Sequence, residues 1–315
     1  MNPQRAAAAL AIACAVAAPF VFAQSASNLS ATDKDASVPT LHLDVRLVNV
    51  LTSVTDADGA PVGGLRRQDF AIDDDGQPQK IALFERQTNR PLNLVLALDT
   101  SGSVRKDLDA ERAAARRFAR SILRPQDSMS LIEFASDVHQ VVPFTSNVKA
   151  IEHGLNTLHS GAATALYEAI EKASQSLASR DGRKVLVLVT DGGDTADTVT
   201  YRQALEAALR ADVMVYALID VPIEASAGRD LGGEHALITL SGQTGGRYFY
   251  LDQIGADASF SKISEDLRTQ YLIGYYPTRQ KDADRFHRIT VSIPRIGGGT
   301  FQLRYRTGYY AASRP

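Results

Sequence analysis

Three apolar runs separated by helical patterns constrain the fold of this chain most strongly. They are Leu92–Leu98, Lys184–Val189 and Val213–Leu218. Runs of this length without polar alternation are typical of strands buried on both faces, as in a parallel sheet. Between the last two runs, apolar residues recur at helical spacing in Tyr201–Arg210. We therefore predict an α/β fold, a doubly wound and mostly parallel sheet with helices on both faces.

The region 90–268 carries the whole of this pattern, and we predict that it forms one domain. Further strands are predicted at Ser128–Phe134, Val138–Phe144 and Arg247–Leu251. Further helices are predicted over Val104–Leu123, Val148–Leu158, Ala165–Leu177, Glu234–Leu240 and Phe260–Leu267.

Two β-type segments flank this region, 39–89 before it and 269–315 after it. Neither segment has enough strands for a stable sheet of its own. We therefore expect the two segments to pack together as one accessory β-rich platform beside the α/β domain. Asp58-Gly59 and Asp75-Gly76 predict hairpin turns, because both residue types adopt positive φ. The aspartates around them could also be fragments of a calcium loop, but neither cluster continues to the later acidic ligand of such a loop.

The first residues have the pattern of a bacterial-type signal peptide. Arg5 is the basic residue, Ala6–Phe22 is almost wholly apolar, and small residues precede Gln24. We predict a signal peptide over 1–23 and a flexible leader over 24–38, so the mature chain would be secreted or periplasmic without a stable membrane span. The alternative is an uncleaved membrane anchor, although the run is short for a span.

Composition excludes several classes of function. The formal net charge of −2 gives no reason to expect nucleic acid as a partner. Cys14, the single cysteine, lies within the predicted signal peptide, so the mature chain would have neither a disulfide nor a thiol nucleophile. No histidine pair has the spacing of a zinc site, and neither a Gly-x-Ser-x-Gly elbow nor a Gly-Lys-Ser/Thr phosphate loop occurs.

Three loops with oxygen-bearing side chains are predicted at one edge of the sheet. Asp99-Thr100-Ser101-Gly102-Ser103 follows the first apolar run, Gly161–Thr164 precedes a helix, and Thr190–Asp194 follows the second run. Ligands bind open α/β sheets at the carboxyl ends of their strands. Carboxylates and hydroxyls are hard oxygen donors of the kind that a small divalent cation prefers. The alternative is that Asp99, the serines and Thr164 only cap helices.

The order of these residues resembles the metal-ion-dependent adhesion site of von Willebrand factor type A domains. Asp99-x-Ser101-x-Ser103, the later Thr164 and the later Asp191 carry the resemblance, which covers the whole of region 90–268. The flanking segments, with Gln270–Tyr275 and Arg306–Tyr310, further resemble the secreted bacterial subgroup of VWFA-related acidobacterial domain proteins.

The resemblance implies a metal site and a mode of binding. Ser101 and Ser103 would ligate the ion through their hydroxyls, and Thr164 would ligate it directly in the ligand-bound state. Asp99 and Asp191 would act mostly through bound waters. This suits Mg²⁺, with Mn²⁺ and Ca²⁺ as alternatives. Neutral direct ligands would leave the ion able to accept an Asp or Glu carboxylate of a protein or surface ligand.

We therefore expect an extracytoplasmic, cation-dependent binding or adhesion module, not an enzyme. The ligand would bind around the loops that bear Thr164 and Asp191. One alternative is a metal-independent structural subunit of an envelope complex. Another is a metal-assisted hydrolase, which would usually place carboxylates directly on the metal to activate water. Asp194 and His159 lie near the predicted site and are interpreted as a loop aspartate and a surface histidine.

Overall fold

The structure is a computed structural model that describes residues 47–86, 89–102, 108–220, 230–278, 282, 285–294 and 301–311. Contacts divide the chain into Met1–Leu43, which lies outside these residues, and Asp44–Pro315, one compact unit. The predicted signal peptide (1–23) and leader (24–38) therefore lie outside the described residues, and the boundaries between the predicted segments stay predictions. Within the described ranges, no helix has both the length and the apolarity needed to cross a bilayer.

The described residues form fourteen strands and six α-helices. In chain order the strands are β1 (Val48–Thr55), β2 (Ala71–Asp74), β3 (Gln77–Pro78), β4 (Ile81–Arg86), β5 (Leu92–Asp99), β6 (Ser128–Phe134), β7 (Val138–Thr145), β8 (Arg183–Thr190), β9 (Val213–Ile219), β10 (Tyr248–Tyr250), β11 (Tyr271–Tyr275), β12 (Phe286–Ser292), β13 (Gln302–Arg304) and β14 (Gly308–Tyr310). The helices are α1 (Leu108–Ile122), α2 (Val148–Leu155), α3 (Leu166–Ala178), α4 (Tyr201–Arg210), α5 (Leu231–Thr244) and α6 (Leu251–Arg268).

The central sheet has six strands in the order β10-β9-β8-β5-β6-β7. All of its pairs are parallel except β6 with the edge strand β7. Alternate residues of β5 enter different cores: Leu94, Leu96 and Leu98 pack with α1, α2 and α6, whereas Val95 and Ala97 pack with α3, α4 and α5. The predicted α/β sheet covered on both faces is thus confirmed.

The two flanking segments do pack together, but as two antiparallel sheets. One has the order β13-β1-β11-β4 and the other β14-β12-β2-β3, so each combines strands from both segments. Val50 and Ile273 of the first sheet share a core with Ile72 and Ile289 of the second. Each segment therefore supplies the partners that the other lacks, and we call this part of the molecule the platform.

Some predicted element bounds differ from the structure. The described part of α1 begins at Leu108, and residues 104–107 of the predicted helix lie outside the described residues. Helix α6 begins at Leu251, directly after the short strand β10, and has a break at Gly255, where φ is 78° and ψ is 160°. Strand β14 was not predicted, because a strand of three residues is too short to show a hydrophobic period in the sequence.

Both Asp-Gly pairs lie in turns, as predicted. Asp56 Oδ1 accepts the backbone N–H groups of Asp58 and Ala60 at 3.0 and 2.9 Å. Asp75 and Gly76, which join β2 to β3, have φ values of 51° and 74°. Asp56 thus stabilises its turn by hydrogen bonds, and Asp75 adopts the positive φ of its turn.

Candidate metal centre

Asp99 occupies the carboxyl end of β5, between the ends of β6 and β8. The side chain is buried, with Oδ1 accepting the Ser101 N–H at 2.9 Å and Oδ2 accepting the Thr190 hydroxyl at 2.7 Å. The Ser101 side chain also bonds to this carboxylate. Burial raises the pKa of Asp99 to about 6, against the hydrogen bonds from Thr190 and Ser101, and the charge of Asp191 adds to the rise.

The Asp99 loop is joined to the Gly161–Thr164 loop through the backbone. Thr100 N–H donates to the carbonyl of Phe134 at 2.9 Å, and Gly161 N–H donates to the carbonyl of Thr100 at 3.0 Å. Ser101 is buried, whereas Gly102 is exposed. Ser103, which the sequence places in the ligand set, lies outside the described residues.

Thr164 is joined to the third loop. Its N–H donates to the Thr195 hydroxyl at 2.9 Å, and its carbonyl accepts the Thr195 N–H at 2.9 Å. The alternative that Thr164 caps α3 is wrong, because the N-cap residue is Ala165, which makes no side-chain cap bond. Asp194 Oδ1 instead accepts the Tyr167 N–H in the first turn of α3, at 3.1 Å. Thr164 is buried in this loop, and its backbone bonds to Thr195 rather than capping a helix.

Asp191 lies on a loop that turns sharply after β8. Gly192 has a φ of 97°, its N–H donates to the Thr190 hydroxyl at 3.2 Å, and Gly193 N–H donates to Asp191 Oδ1 at 3.3 Å. The start of α5 packs tightly on this loop, since a Cβ added at Gly233 would lie 1.8 Å from the Gly192 carbonyl oxygen. The position of the loop is therefore coupled to α5.

The structure thus brings four of the five predicted site residues together. Asp99 and Ser101 share hydrogen bonds, Asp191 is near enough to repel the Asp99 charge, and Thr164 lies on the adjoining loop. Sequence reasoning placed Thr190 in the third loop but gave it no role, whereas its hydroxyl bonds to both Asp99 and the Gly192 backbone. Its position at the last residue of an apolar strand, next to Asp191, was the available signal.

The donor set fits a small divalent cation. All donors are carboxylate or hydroxyl oxygens, the ligands that Mg²⁺ prefers. Asp99 is a buried carboxylate, and among the described side chains no Lys, Arg or His comes within 4.0 Å of it to form an ion pair. A buried charge is costly without a compensating one. A cation at this edge of the sheet would supply that compensation.

Other acidic and histidine side chains lie away from these three loops or on their surface. The His159 ring is 84% exposed and lies 3.6 Å from Glu133, which fits a surface histidine. Asp74, Asp75 and His287 in the platform have potential ligand atoms within 4.8 Å of one another. They already bond within the platform: Tyr309 donates its hydroxyl to Asp74 at 2.9 Å, and the His287 ring contacts Asp75 at 2.9 Å.

The α/β part of the chain is similar to known proteins. Residues 94–193 match the family model described as von Willebrand factor type A domain. The von Willebrand factor type A structure from Catenulispora acidiphila has a TM-score of 0.50 and 12% identity, covering 84% of this chain and 75% of that one. Its likeness shows a shared fold. No curated protein matches the chain.

Two further solved structures are similar over part of the chain. The conserved hypothetical protein BatB from Bacteroides thetaiotaomicron has a TM-score of 0.46 and 21% identity, over 56% of this chain and 97% of that one. The open conformation of the pilus adhesin SpaC from Lactobacillus rhamnosus GG has a TM-score of 0.47 and 13% identity, over 77% of this chain and 48% of that one.

Proposed function

We propose a function for the von Willebrand factor type A domain that this chain carries: it binds a divalent cation and uses it to capture a carboxylate of a protein or surface ligand outside the cytoplasm. The observation that carries the proposal is Asp99. This carboxylate is buried among hydrogen-bond donors and beside a second acidic residue, Asp191, and no cationic side chain of the described residues pairs with it.

The residues that would hold the ion are Asp99, Ser101, Ser103, Thr164 and Asp191. When bound, the ion would supply a positive charge, and a ligand carboxylate could coordinate the ion. Thr190 and the Ser101 backbone hold the Asp99 carboxylate in place, so this one ligand would already be positioned for the ion. Mg²⁺ suits hydroxyl ligands combined with water-mediated carboxylates, with Mn²⁺ and Ca²⁺ as alternatives.

Capture of a carboxylate follows from the charge of such a site. If the direct ligands are neutral hydroxyls and the two aspartates act through bound waters, the ion keeps much of its attraction for a further anionic ligand, and a carboxylate is a natural ligand for it. Contacts around the ion would then add affinity and selectivity. Leu231, the first residue of α5, is 67% exposed close to the Gly192 loop and offers an apolar contact there. The secreted or periplasmic location rests on the signal-peptide pattern.

The test measures binding of the purified protein to immobilised polyglutamate and polyglutamine. We expect retention on polyglutamate in Mg²⁺ or Mn²⁺ and release by a chelator, with no retention on polyglutamine. Ser101→Ala should abolish retention. Ser176→Ala is the matched control, because within the described part of the chain this α3 serine bonds only to the carbonyl of Ala173 in its own helix.

Three outcomes would contradict the proposal. Retention that survives both chelation and Asp99→Ala would favour a metal-independent structural subunit. Equal retention on the two polymers would exclude carboxylate recognition. Turnover of phosphate or ester substrates by the wild type, lost in Ser101→Ala, would favour a hydrolase.

A further inference from the structure

A cavity of about 220 Å³ lies at the opposite edge of the central sheet from the candidate metal centre. It is bordered by the amino ends of β8 and β9, where Arg183 and Asp212 lie, and by β1 and β11 of the platform. The loop between β13 and β14 contributes Arg306. The cavity therefore lies where the α/β sheet meets the platform.

Cationic side chains dominate the buried part of this cavity. Arg183 and Arg306 are 6% and 8% exposed, and the Nε–H of each lacks an acceptor within the described part of the chain. Lys184 is half-buried and donates to the carbonyl of Ala178 at 2.8 Å. Arg183 also donates a guanidinium N–H to the carbonyl of Leu267. Among the described residues, neither Arg183 nor Lys184 has a carboxylate within 4.0 Å.

The acidic residues around the cavity compensate this charge only in part. Asp212 pairs with Arg306 but is itself exposed, with 55% of its side chain accessible. Asp181 is also exposed. Solvent weakens the effect of exposed charges, whereas buried charges act through a lower dielectric. Burial lowers the pKa of Lys184, and Arg306 lowers it further against the opposing effect of Asp212 and Asp181.

We propose that this cavity binds a phosphate-type oxyanion, either free phosphate or the phosphate group of a larger molecule. The two buried arginines and the lysine belong to its lining residues, and charge-assisted N–H donors of this kind bind phosphate oxygens strongly. The volume admits such an anion with some of its water. A dianion compensates more of the buried positive charge than a single carboxylate does. This site is separate from the metal centre and does not depend on the function proposed there.

The experiment titrates inorganic phosphate, glycerol phosphate and acetate into the metal-free protein at constant ionic strength, by calorimetry. Removing the metal beforehand separates this site from the cation site. We expect saturable phosphate binding to the wild type and a loss of about tenfold in affinity in Lys184→Gln. Lys172→Gln is the matched control, since this lysine pairs with Glu168 on α3 and does not line the cavity.

A second variant, at another lining residue, provides an independent test. Arg180→Gln, at the rim of the cavity, should also weaken phosphate binding, and thermal unfolding establishes that each variant is folded. Tighter binding of glycerol phosphate than of phosphate would identify an ester as the occupant, and weaker binding would identify the free ion. Absence of saturable binding, equal affinity in all variants, or acetate binding as tight as that of phosphate would overturn the proposal.

Discussion

Replacing Asp99 with asparagine should raise the stability of the metal-free protein and reduce the stabilisation that Mg²⁺ gives. Burial raises the pKa of this carboxyl from 3.8 to about 6. At about 1.36 kcal/mol per pKa unit, ionising the folded protein costs about 3 kcal/mol more than ionising the unfolded chain. The folded state holds the proton more tightly, so this destabilisation is absent below about pH 4, grows as pH rises, and is complete above about pH 6.

Asparagine is the appropriate variant because it keeps most of the hydrogen bonds. Its Oδ1 can still accept the Ser101 N–H, and its amide can donate to the Thr190 hydroxyl, which otherwise donates to Asp99. If weakened bonds cost about 1 kcal/mol, the metal-free variant should be more stable than the wild type by about 2 kcal/mol at pH 7. At pH 4 the gain should disappear.

Urea unfolding, with and without Mg²⁺, measures both effects. A ligand at a hundred times its dissociation constant stabilises a protein by about 2.7 kcal/mol. The wild type should gain this stability in Mg²⁺, whereas Asp99→Asn should gain little. Equal destabilisation of the variant at pH 4 and pH 7, or an equal Mg²⁺ response in both proteins, would refute the reasoning.

Two further predictions test how the loops are held. Asp194→Ala should cost about 1 kcal/mol in urea unfolding while leaving Mg²⁺ affinity nearly unchanged, because Asp194 caps α3 through the Tyr167 N–H; Asp194→Asn keeps the acceptor and is the control, and a large loss of Mg²⁺ affinity in the alanine variant would make Asp194 part of the metal site. Gly233→Ala should destabilise the protein by about 1–3 kcal/mol and weaken Mg²⁺ binding, because its Cβ would displace the Gly192 carbonyl. Gly242→Ala, on the same helix with open space at its Cβ, should instead stabilise by about 0.5–1 kcal/mol, and similar effects of the two alanines would show that loop packing does not matter.

The α/β part of the fold could be predicted because its signals are local and long. The eight residues of β5 are all buried, and such a strand has no polar alternation to obscure it. Helix α4 was predicted with the observed bounds, Tyr201–Arg210, because its apolar residues keep one period, and the structure shows that Thr200 caps it. Strand ends in a parallel sheet then place Asp99 and Asp191 near each other.

The platform could be predicted only in outline. Two short β segments require partners, but the pairing of β1 with β11 and β13 joins residues more than two hundred positions apart. Nothing local in Val48–Thr55 specifies which strands lie beside it. The division into two sheets follows from side-chain packing across a shared core, which includes Phe70 and Tyr271 with ring centroids 5.3 Å apart.

The candidate site, too, could be predicted only in part. Residue types and order predicted which side chains meet, whereas their roles in holding the loops depend on contacts between distant residues. Thr195, which accepts the Thr164 N–H, has no pattern of its own in the sequence. The resemblance to the acidobacterial subgroup, the identity of the metal and the ligand stay predictions.

The most direct test of the central claim is a calorimetric titration of Mg²⁺ and Mn²⁺ into the wild type, Asp99→Ala and Asp252→Ala. Asp252 is an exposed aspartate in the first turn of α6, remote in sequence from the three loops, and serves as the control. We predict saturable binding at one site in the wild type and in Asp252→Ala, and none in Asp99→Ala. Absence of binding to the wild type, or equal binding to all three proteins, would contradict the assignment of a metal centre at Asp99.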